Sequence, residues 1–171
     1  IPGIKAKGGG REAGVRYSDY AIGRFFDKLQ EKPWYKDSLL VIAGDHGARV
    51  YGRAQIPVSN YTIPFIVHAP GMIPAQRIEI LASQVDIGPT VLGLLHLTYE
   101  AWLPGRDILR MQPGDGYAIF NHNRNVAMLR DGELAVLGFR KTLSTERYDA
   151  ASDELTTTAS NGELERDTQA L

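Results

Sequence analysis

Two adjacent side chains, Asp45 and His46, are the clearest candidates for chemistry in this sequence. They directly follow the apolar run 38–43 and stand between two glycines. Because glycine tolerates the backbone conformations of a sharp turn, the two side chains can converge there, whereas a continued strand would direct them to opposite faces. A carboxylate beside a neutral imidazole suits Mn²⁺, Zn²⁺ or iron. The alternative interpretation is that Asp45 caps the turn and His46 is solvated.

Three further polar residues are candidates for contacting an anionic substrate. Arg49 and Arg53 follow in the polar loop after the pair, and a guanidinium group matches the geometry of phosphate oxygens. Their alternative role is that of solvated or salt-bridged loop arginines. His122 is predicted in an Asn-His-Asn turn, where either it faces a cleft or the Asn side chains simply stabilise the turn. His68 and His96 are interpreted as packing residues.

The elements that must position these residues predict part of a three-layer α/β domain. In chain order they are a helix over 12–32, buried strands over 38–43 and 63–68, and a helix over 87–97. Pro33 ends the first helix, and Asp86 is the predicted N-cap of the second. Ligands of open α/β sheets bind at the carboxyl ends of the strands, which is where Asp45 and His46 would lie.

The first predicted helix carries an aromatic set at helical spacing that we interpret as core. Its members are Tyr17, Tyr20, Phe25 and Phe26. A helix with such an apolar stripe is expected to cover one face of a sheet.

The pattern changes after residue 110, where short apolar runs predict a small antiparallel sheet. The runs are 117–120, 125–129 and 134–139, with Asp131-Gly132 as a hairpin turn. The sequence thus predicts four regions: a flexible leading segment over 1–11, an α/β core over 12–110, the antiparallel subdomain over 111–150, and a polar tail over 151–171. In the tail, Asn161 is placed to cap a short terminal helix.

Composition excludes several classes of protein. The 171 residues contain 43% hydrophobic and 23% charged side chains, as in an ordinary globular domain. A formal net charge of −1, with dispersed Lys and Arg, disfavours nucleic acid as a partner. The absence of cysteine excludes disulfides and zinc–thiolate sites. We expect no membrane span, because no apolar run approaches the roughly 20 residues that a spanning helix needs.

Five stretches resemble, in order and spacing, the carboxyl-terminal half of the sulfatase family. They are residues 17–25, 41–47, 63–71, 83–90 and 105–107. Within the alkaline phosphatase superfamily, they are most similar to the lipoteichoic-acid-synthase and phosphoglycerol-transferase branch. The resemblance implies the carboxyl-terminal part of an alkaline-phosphatase-like three-layer sandwich, with a mostly parallel sheet flanked by helices and a small antiparallel sheet at the end.

The resemblance also implies a role for the Asp-His pair. In this family the pair coordinates the catalytic divalent metal, which implies Mn²⁺ first, with Zn²⁺, Ca²⁺ or Mg²⁺ as alternatives. The position after Asp is Asn in many calcium-dependent sulfatases, so His46 favours the transition-metal branch. The family's nucleophile and its further carboxylate ligand match no position of this sequence. The chain is therefore expected to be inactive alone.

For the complete protein, the resemblance implies a transferase or hydrolase acting on anionic phosphate or sulfate esters, linked to a lipid or a glycan. It also implies an extracytoplasmic location, in the periplasm or on the outer face of the cytoplasmic membrane, with a membrane-anchored parent. We expect the isolated chain to self-associate, because half a sheet leaves an open edge or an apolar patch. The alternative is a non-catalytic α/β module that retains the fold and serves binding or assembly.

Overall fold

The computed structural model describes residues 10–47 and 55–171, and the chain divides into two compact units. The first unit combines residues 1–42 with 66–75, and the second combines residues 43–65 with 76–171. Residues 1–9 of the predicted leading segment lie outside the described residues, as do Arg49 and Arg53. No helix in the described residues is both long and apolar enough to cross a bilayer.

The first unit is built from one long helix and a pair of short strands. Helix α1 (Arg11–Gln30) is followed by strands β1 (Leu40–Ala43) and β2 (Phe65–His68), which form a two-stranded sheet. The predicted helix and both strands are confirmed, each somewhat shorter than expected. Proline cannot donate to a sheet, and Pro64 accordingly precedes β2.

Packing in the first unit is concentrated near the end of α1. Leu29 is buried, and the ring of Phe26 meets the imidazole of His68 edge-on with centroids 5.4 Å apart. The His68 Nε2 atom lies 2.8 Å from the Tyr35 hydroxyl, so its interpretation as a packing residue with a satisfied hydrogen bond is confirmed.

The prediction that the whole aromatic set of α1 is core was wrong for two members. Tyr17 is 57% exposed and Phe25 is 52% exposed. Helical spacing identifies an apolar face, but burial also requires an element packed against that face. In the described residues, the contact of Phe26 with His68 and the burial of Leu29 both lie in the last turns of α1.

In the second unit, helix α2 (Ile87–Leu94) is preceded by a 3-10 turn over Gln84–Asp86. The helix ends earlier than predicted because His96 adopts a left-handed conformation with φ 52°. The His96 amide donates to Gly93 and the Leu97 amide to Leu92, which closes the helix as a Schellman motif. The placement of His96 as a packing residue inside the helix was therefore wrong; it is exposed, just beyond the helix end.

A five-stranded antiparallel meander makes up most of the second unit. Its strands are β3 (Tyr117–His122), β4 (Asn125–Arg130), β5 (Glu133–Leu137), β6 (Leu143–Asp149) and β7 (Glu154–Thr157). Asp131 and Gly132, with φ 52° and 75°, form the predicted tight turn between β4 and β5.

The meander buries one face against an apolar segment and the other against a helix. Phe120, Leu129, Leu134 and Val136 pack with Ile56 and other side chains of one cluster. Helix α3 (Gly162–Gln169) packs Leu164 on the opposite face, beside Met128 and Ala135.

Both β7 and α3 lie in the stretch predicted as a polar tail. As expected, the Asn161 side chain caps α3, accepting from the Leu164 amide at 3.1 Å. The division of the chain into four regions stays a prediction.

Candidate metal centre

The turn that carries Asp45 and His46 is held by its two glycines. The Gly44 amide donates to the Pro64 carbonyl at 3.0 Å as the chain leaves β1. A Cβ atom at Gly47 would lie 1.7 Å from the Asn60 carbonyl oxygen. Only glycine therefore permits this approach of the two backbone segments.

The hydrogen bonds of the turn determine which ring nitrogen of His46 is left free. Its Nδ1 atom lies 2.8 Å from the Gly47 carbonyl oxygen, which can only accept, so Nδ1 carries the proton in the neutral ring. The lone pair of that neutral ring is consequently on Nε2. The His46 amide donates to Asp45 Oδ1 at 3.0 Å, which leaves Asp45 Oδ2 without that contact.

The two remaining ligand atoms fit one divalent ion. His46 Nε2 and Asp45 Oδ2 are 3.7 Å apart. Two ligands that are each about 2.1 Å from the same metal lie no more than about 4.2 Å apart. The side chains are 78% and 91% exposed, so both ligand atoms are open to further ligands from outside this turn.

The geometry of Asp45 is compatible with both interpretations drawn from the sequence, and its role as a metal ligand stays a prediction. One carboxylate oxygen stabilises the turn, and the other faces the His46 ring. No group of three or more His, Cys, Asp or Glu side chains that could hold a metal occurs within residues 10–47 and 55–171. Among the described residues, the candidate ligands on this turn are therefore the two side chains of Asp45 and His46.

Gln84 is a contributor to the turn that sequence reasoning missed. Its side-chain amide donates to the Asp45 carbonyl at 3.1 Å and to the Gly44 carbonyl at 3.3 Å. The available signal was its position in the stretch 83–90 that resembles the sulfatase family. No local pattern connects it to a turn about 40 residues earlier.

Asp86 does not cap α2 with its side chain. It is fully buried, and its carboxylate accepts from the Ser83 amide at 2.8 Å and the Arg106 amide at 2.7 Å. The Arg106 guanidinium lies 3.5 Å from the same carboxylate and stacks 3.7 Å above the Tyr117 ring. Asp86 therefore occupies the predicted N-cap position of α2, but its side chain does not cap that helix. The carboxylate instead joins the segment containing Gln84 to the residues before the meander.

His122 is the last residue of β3, paired with Asn125, and does not lie in the turn itself. The Tyr61 hydroxyl donates to the Asn121 carbonyl at 2.9 Å and lies 2.8 Å from His122 Nδ1. Burial raises the pKa of Tyr61, so the phenol keeps its proton. His122 Nδ1–H then donates to the phenol oxygen, which leaves Nε2 as an acceptor in the neutral ring.

Two consecutive residues, Asn60 and Tyr61, contact the turn of the candidate metal ligands and His122, respectively. Asn60 abuts Gly47 through its carbonyl, and the next residue, Tyr61, contacts His122. The remaining two candidates from the sequence, Arg49 and Arg53, lie outside the described residues.

Comparison with known proteins assigns this fold to a class. A protein of the alkaline phosphatase superfamily from Vibrio parahaemolyticus superposes on 99% of this chain with a TM-score of 0.90 and 27% sequence identity; the chain covers 43% of that structure. This confirms the predicted α/β fold. The Sulfatase family model matches residues 11–97, just over half of the chain, and the chain belongs to the sulfatase family.

Two relatives show the range of this similarity. A lipoteichoic acid synthase-like protein, YvgJ, from Bacillus subtilis (strain 168) is 35% identical in an alignment 112 residues long, which covers 56% of this chain and 18% of the relative. A sulfatase from Formosa agariphila is 28% identical in an alignment 153 residues long, which covers 81% of this chain and 29% of the relative. The chain thus spans less than a third of either relative. The family is one of phosphoryl- or sulfuryl-transferring enzymes that generally use a divalent metal.

Proposed function

We propose that this chain supplies two metal ligands, Asp45 and His46, to a metal-dependent phosphoryl or sulfuryl transferase or hydrolase of the phosphoglycerol-transferase type. The observation that carries the proposal is the pair of free ligand atoms, His46 Nε2 and Asp45 Oδ2, 3.7 Å apart on one turn. The proton held on Nδ1 by the Gly47 carbonyl supports it, because a metal-binding imidazole must present an unprotonated nitrogen.

The metal we propose is Mn²⁺, with Zn²⁺, Ca²⁺ or Mg²⁺ as alternatives. One carboxylate and one imidazole form a ligand pair of intermediate hardness, which supports a transition metal over Ca²⁺. Such an ion, when bound, supplies Lewis acidity that polarises a phosphoryl or sulfuryl oxygen. The chain's own part is to present Asp45 and His46 in a fixed turn, to contact the anionic ester through Arg49 and Arg53, and to contact the substrate through His122, whose Nε2 accepts a hydrogen bond in the neutral ring.

The substrate we propose is an anionic phosphate or sulfate ester carried on a lipid or a glycan. The names of the relatives support both ester types, since one is a sulfatase and the other is lipoteichoic acid synthase-like. The nucleophile and remaining ligands would come from residues outside this chain, so the chain alone would be inactive. We place the complete protein outside the cytoplasm, in the periplasm or on the outer membrane face, with a membrane-anchored parent.

The test is Mn²⁺ binding by the intact protein, measured by titration calorimetry and by metal content after dialysis. Asp45→Asn and His46→Gln should each weaken Mn²⁺ affinity by about tenfold or more, since each removes a direct ligand. Asp27→Asn and His96→Gln are matched controls, because both residues are exposed and neither neighbours the turn in sequence. We expect the controls to bind Mn²⁺ normally.

Retained affinity in both site variants would exclude Asp45 and His46 as ligands. Ester hydrolysis by the intact protein should also fall on chelation and recover on addition of Mn²⁺. An intact protein without any metal-dependent turnover would instead support a non-catalytic binding or assembly module.

A further inference from the structure

One end of the antiparallel meander carries a group of cations around an exposed aromatic ring. We call this group the basic tip; it consists of Arg124, Phe139, Arg140 and Lys141. Arg124 belongs to the turn between β3 and β4, and the other three belong to the loop between β5 and β6. The strand register places both connections at the same end of the sheet.

The geometry of the basic tip brings like charges together. The guanidinium carbons of Arg124 and Arg140 lie 5.3 and 5.8 Å from the centre of the Phe139 ring, which is 58% exposed. The ion pairs found in the described residues use other arginines and leave these three cations without a carboxylate. Within the described residues, the positive charge of the tip is therefore not compensated by an ion pair, and these side chains can bind an anionic ligand.

The backbone of the tip is also unfavourable for the residues it carries. Arg140 and Lys141 have φ of 67° and 59°, a left-handed conformation in two consecutive residues with long side chains. Glycine or asparagine would adopt it at lower cost. The loop is nevertheless closed, because the Gly138 amide donates to the Thr142 carbonyl at 2.8 Å. Backbone strain and uncompensated positive charge at the same place suggest a role other than stabilising the fold.

The basic tip lies next to residues that lead to the candidate metal centre. Arg124 is two residues from His122, which contacts the Tyr61 hydroxyl. The neighbouring Asn60 carbonyl approaches Gly47, beside His46. A ligand long enough to reach from the Asp45–His46 turn past His122 would meet the tip.

We propose that the basic tip binds phosphate or sulfate groups of an extended, multiply charged chain whose reacting ester lies at the Asp45–His46 turn. This inference rests on the proposed function and names its substrate class more closely. Arginine guanidinium groups bind phosphate oxygens in a bidentate manner, and a linear polyanion presents several such groups in succession. The exposed Phe139 ring offers an apolar surface to the carbon backbone between the charged groups.

The composition of the tip favours a polymer over a lipid surface. Phe139 is its single exposed hydrophobic side chain within the described residues. A segment that enters a bilayer interface needs a broader apolar face together with its cations. The basic tip therefore has three cationic side chains and one apolar ring, a composition that suits a hydrated polyanion better than a bilayer.

The test measures binding of linear polyphosphate and dextran sulfate to the intact protein, with uncharged dextran as the blank. The variant Arg124→Gln/Arg140→Gln/Lys141→Gln should raise the Kd at least tenfold and flatten its dependence on salt, because fewer counterions are released. The control Arg24→Gln/Lys28→Gln/Lys36→Gln removes the same charge from the first unit. We expect it to change the Kd less than twofold.

A second pair of variants separates binding from folding. Arg140→Gly/Lys141→Gly should raise the Tm, since it relieves the left-handed strain, and still weaken polyanion binding several-fold. His96→Gly relieves the same kind of strain at the end of α2 and should raise the Tm without changing binding.

Equal weakening by the tip variant and its control would overturn the proposal, because binding would then follow net charge alone. Tip-dependent binding to vesicles of anionic lipid, without binding to either polymer, would also overturn it. The titrations are repeated in the Asp45→Asn protein. If the Asp45→Asn protein loses Mn²⁺ affinity but still binds the polymers, the basic tip binds independently of the metal centre. If the tip variant loses polymer binding but keeps its Mn²⁺ affinity, the metal centre is independent of the basic tip.

Discussion

Gln84 is a single residue that is not itself a candidate metal ligand but holds the turn that carries the candidate ligands. Its amide joins two successive carbonyls, those of Gly44 and Asp45, and thereby fixes the backbone from which the Asp45 carboxylate projects. The turn has few other supports, since Asp45 and His46 are both largely exposed. We therefore regard Gln84 as a positioning residue for the proposed metal centre.

Replacing Gln84 should weaken metal binding while both ligands remain. We expect Gln84→Ala to reduce Mn²⁺ affinity by about tenfold, the lower end of the effect of removing groups that orient ligands. The measurement is calorimetric titration of Mn²⁺ into the intact protein. Gln112→Ala is the control, because Gln112 is an exposed glutamine that does not neighbour the turn in sequence.

Gln84→Glu distinguishes positioning from simple loss of bulk. The substitution keeps the length of the side chain but removes its N–H donor, so affinity should fall as it does for Gln84→Ala. Normal Mn²⁺ affinity in both variants would contradict the role proposed for this residue.

At the scale of elements, the buried Asp86 carboxylate couples the segment before α2 to the residues before the meander. It accepts from two backbone amides and faces the Arg106 guanidinium. Arg106 is held in turn by the Tyr117 ring and by a hydrogen bond to the Asp115 carbonyl. The 3-10 turn that carries Gln84 is thus positioned by contacts with a residue 20 positions later in the chain.

Disrupting this carboxylate should destabilise the second unit. We expect Asp86→Asn to lower the free energy of unfolding by about 2–3 kcal/mol, because it leaves the partly buried Arg106 without its counter-charge. The measurement is urea unfolding followed by circular dichroism. Glu79→Gln breaks an exposed ion pair with Arg77 and should cost less than about 1 kcal/mol.

A double variant tests whether the effect comes from the pair. If Arg106 stabilises the fold through its contact with Asp86, the double variant Asp86→Asn/Arg106→Gln should lose less free energy of unfolding than the two single variants together. We expect a difference of about 1 kcal/mol or more. Additive costs would show that the two side chains act independently.

At the scale of the whole molecule, the chain leaves large apolar side chains in contact with solvent. On α1 these include Val15, Ile22 and Phe25, which are 64%, 42% and 52% exposed. In the second unit they include Leu97 and Trp102, the latter fully exposed. Monomeric proteins rarely expose contiguous apolar patches of large area, so such surfaces commonly mark interfaces.

The isolated chain should therefore self-associate. We expect its weight-average mass, measured by light scattering after size-exclusion chromatography, to rise with protein concentration. Val15→Gln/Ile22→Gln/Phe25→Gln should reduce the association, because it removes apolar surface from α1 without changing charge. A constant monomeric mass for the unchanged chain across a wide concentration range would contradict the prediction.

Leu97→Gln/Tyr99→Gln/Trp102→Gln is the companion variant in the second unit. A larger effect of this variant than of the α1 variant would move the association surface to the segment after α2. Both variants keep the ligands of the proposed metal centre, so Mn²⁺ binding serves as the control for folding.

The sequence by itself determined the features that depend on neighbouring residues. The apolar run before Gly44, the Asp131-Gly132 turn and the Asn161 cap were all predicted, because strand periodicity, left-handed turn residues and side-chain caps act within a few positions. The ordered motifs also identified the family, and with it the interpretation of Asp45 and His46 as a ligand pair.

Only the tertiary structure decided the features that join distant residues. The contacts of Gln84 with the Asp45 turn, of Asp86 with Arg106, and of His122 with Tyr61 connect positions 20 to 61 residues apart. No local pattern encodes such a pair, since each contact forms only after both elements have packed. Burial is likewise decided by tertiary packing. The sequence of α1 shows an apolar face, but whether Phe25 is exposed depends on what packs against that face.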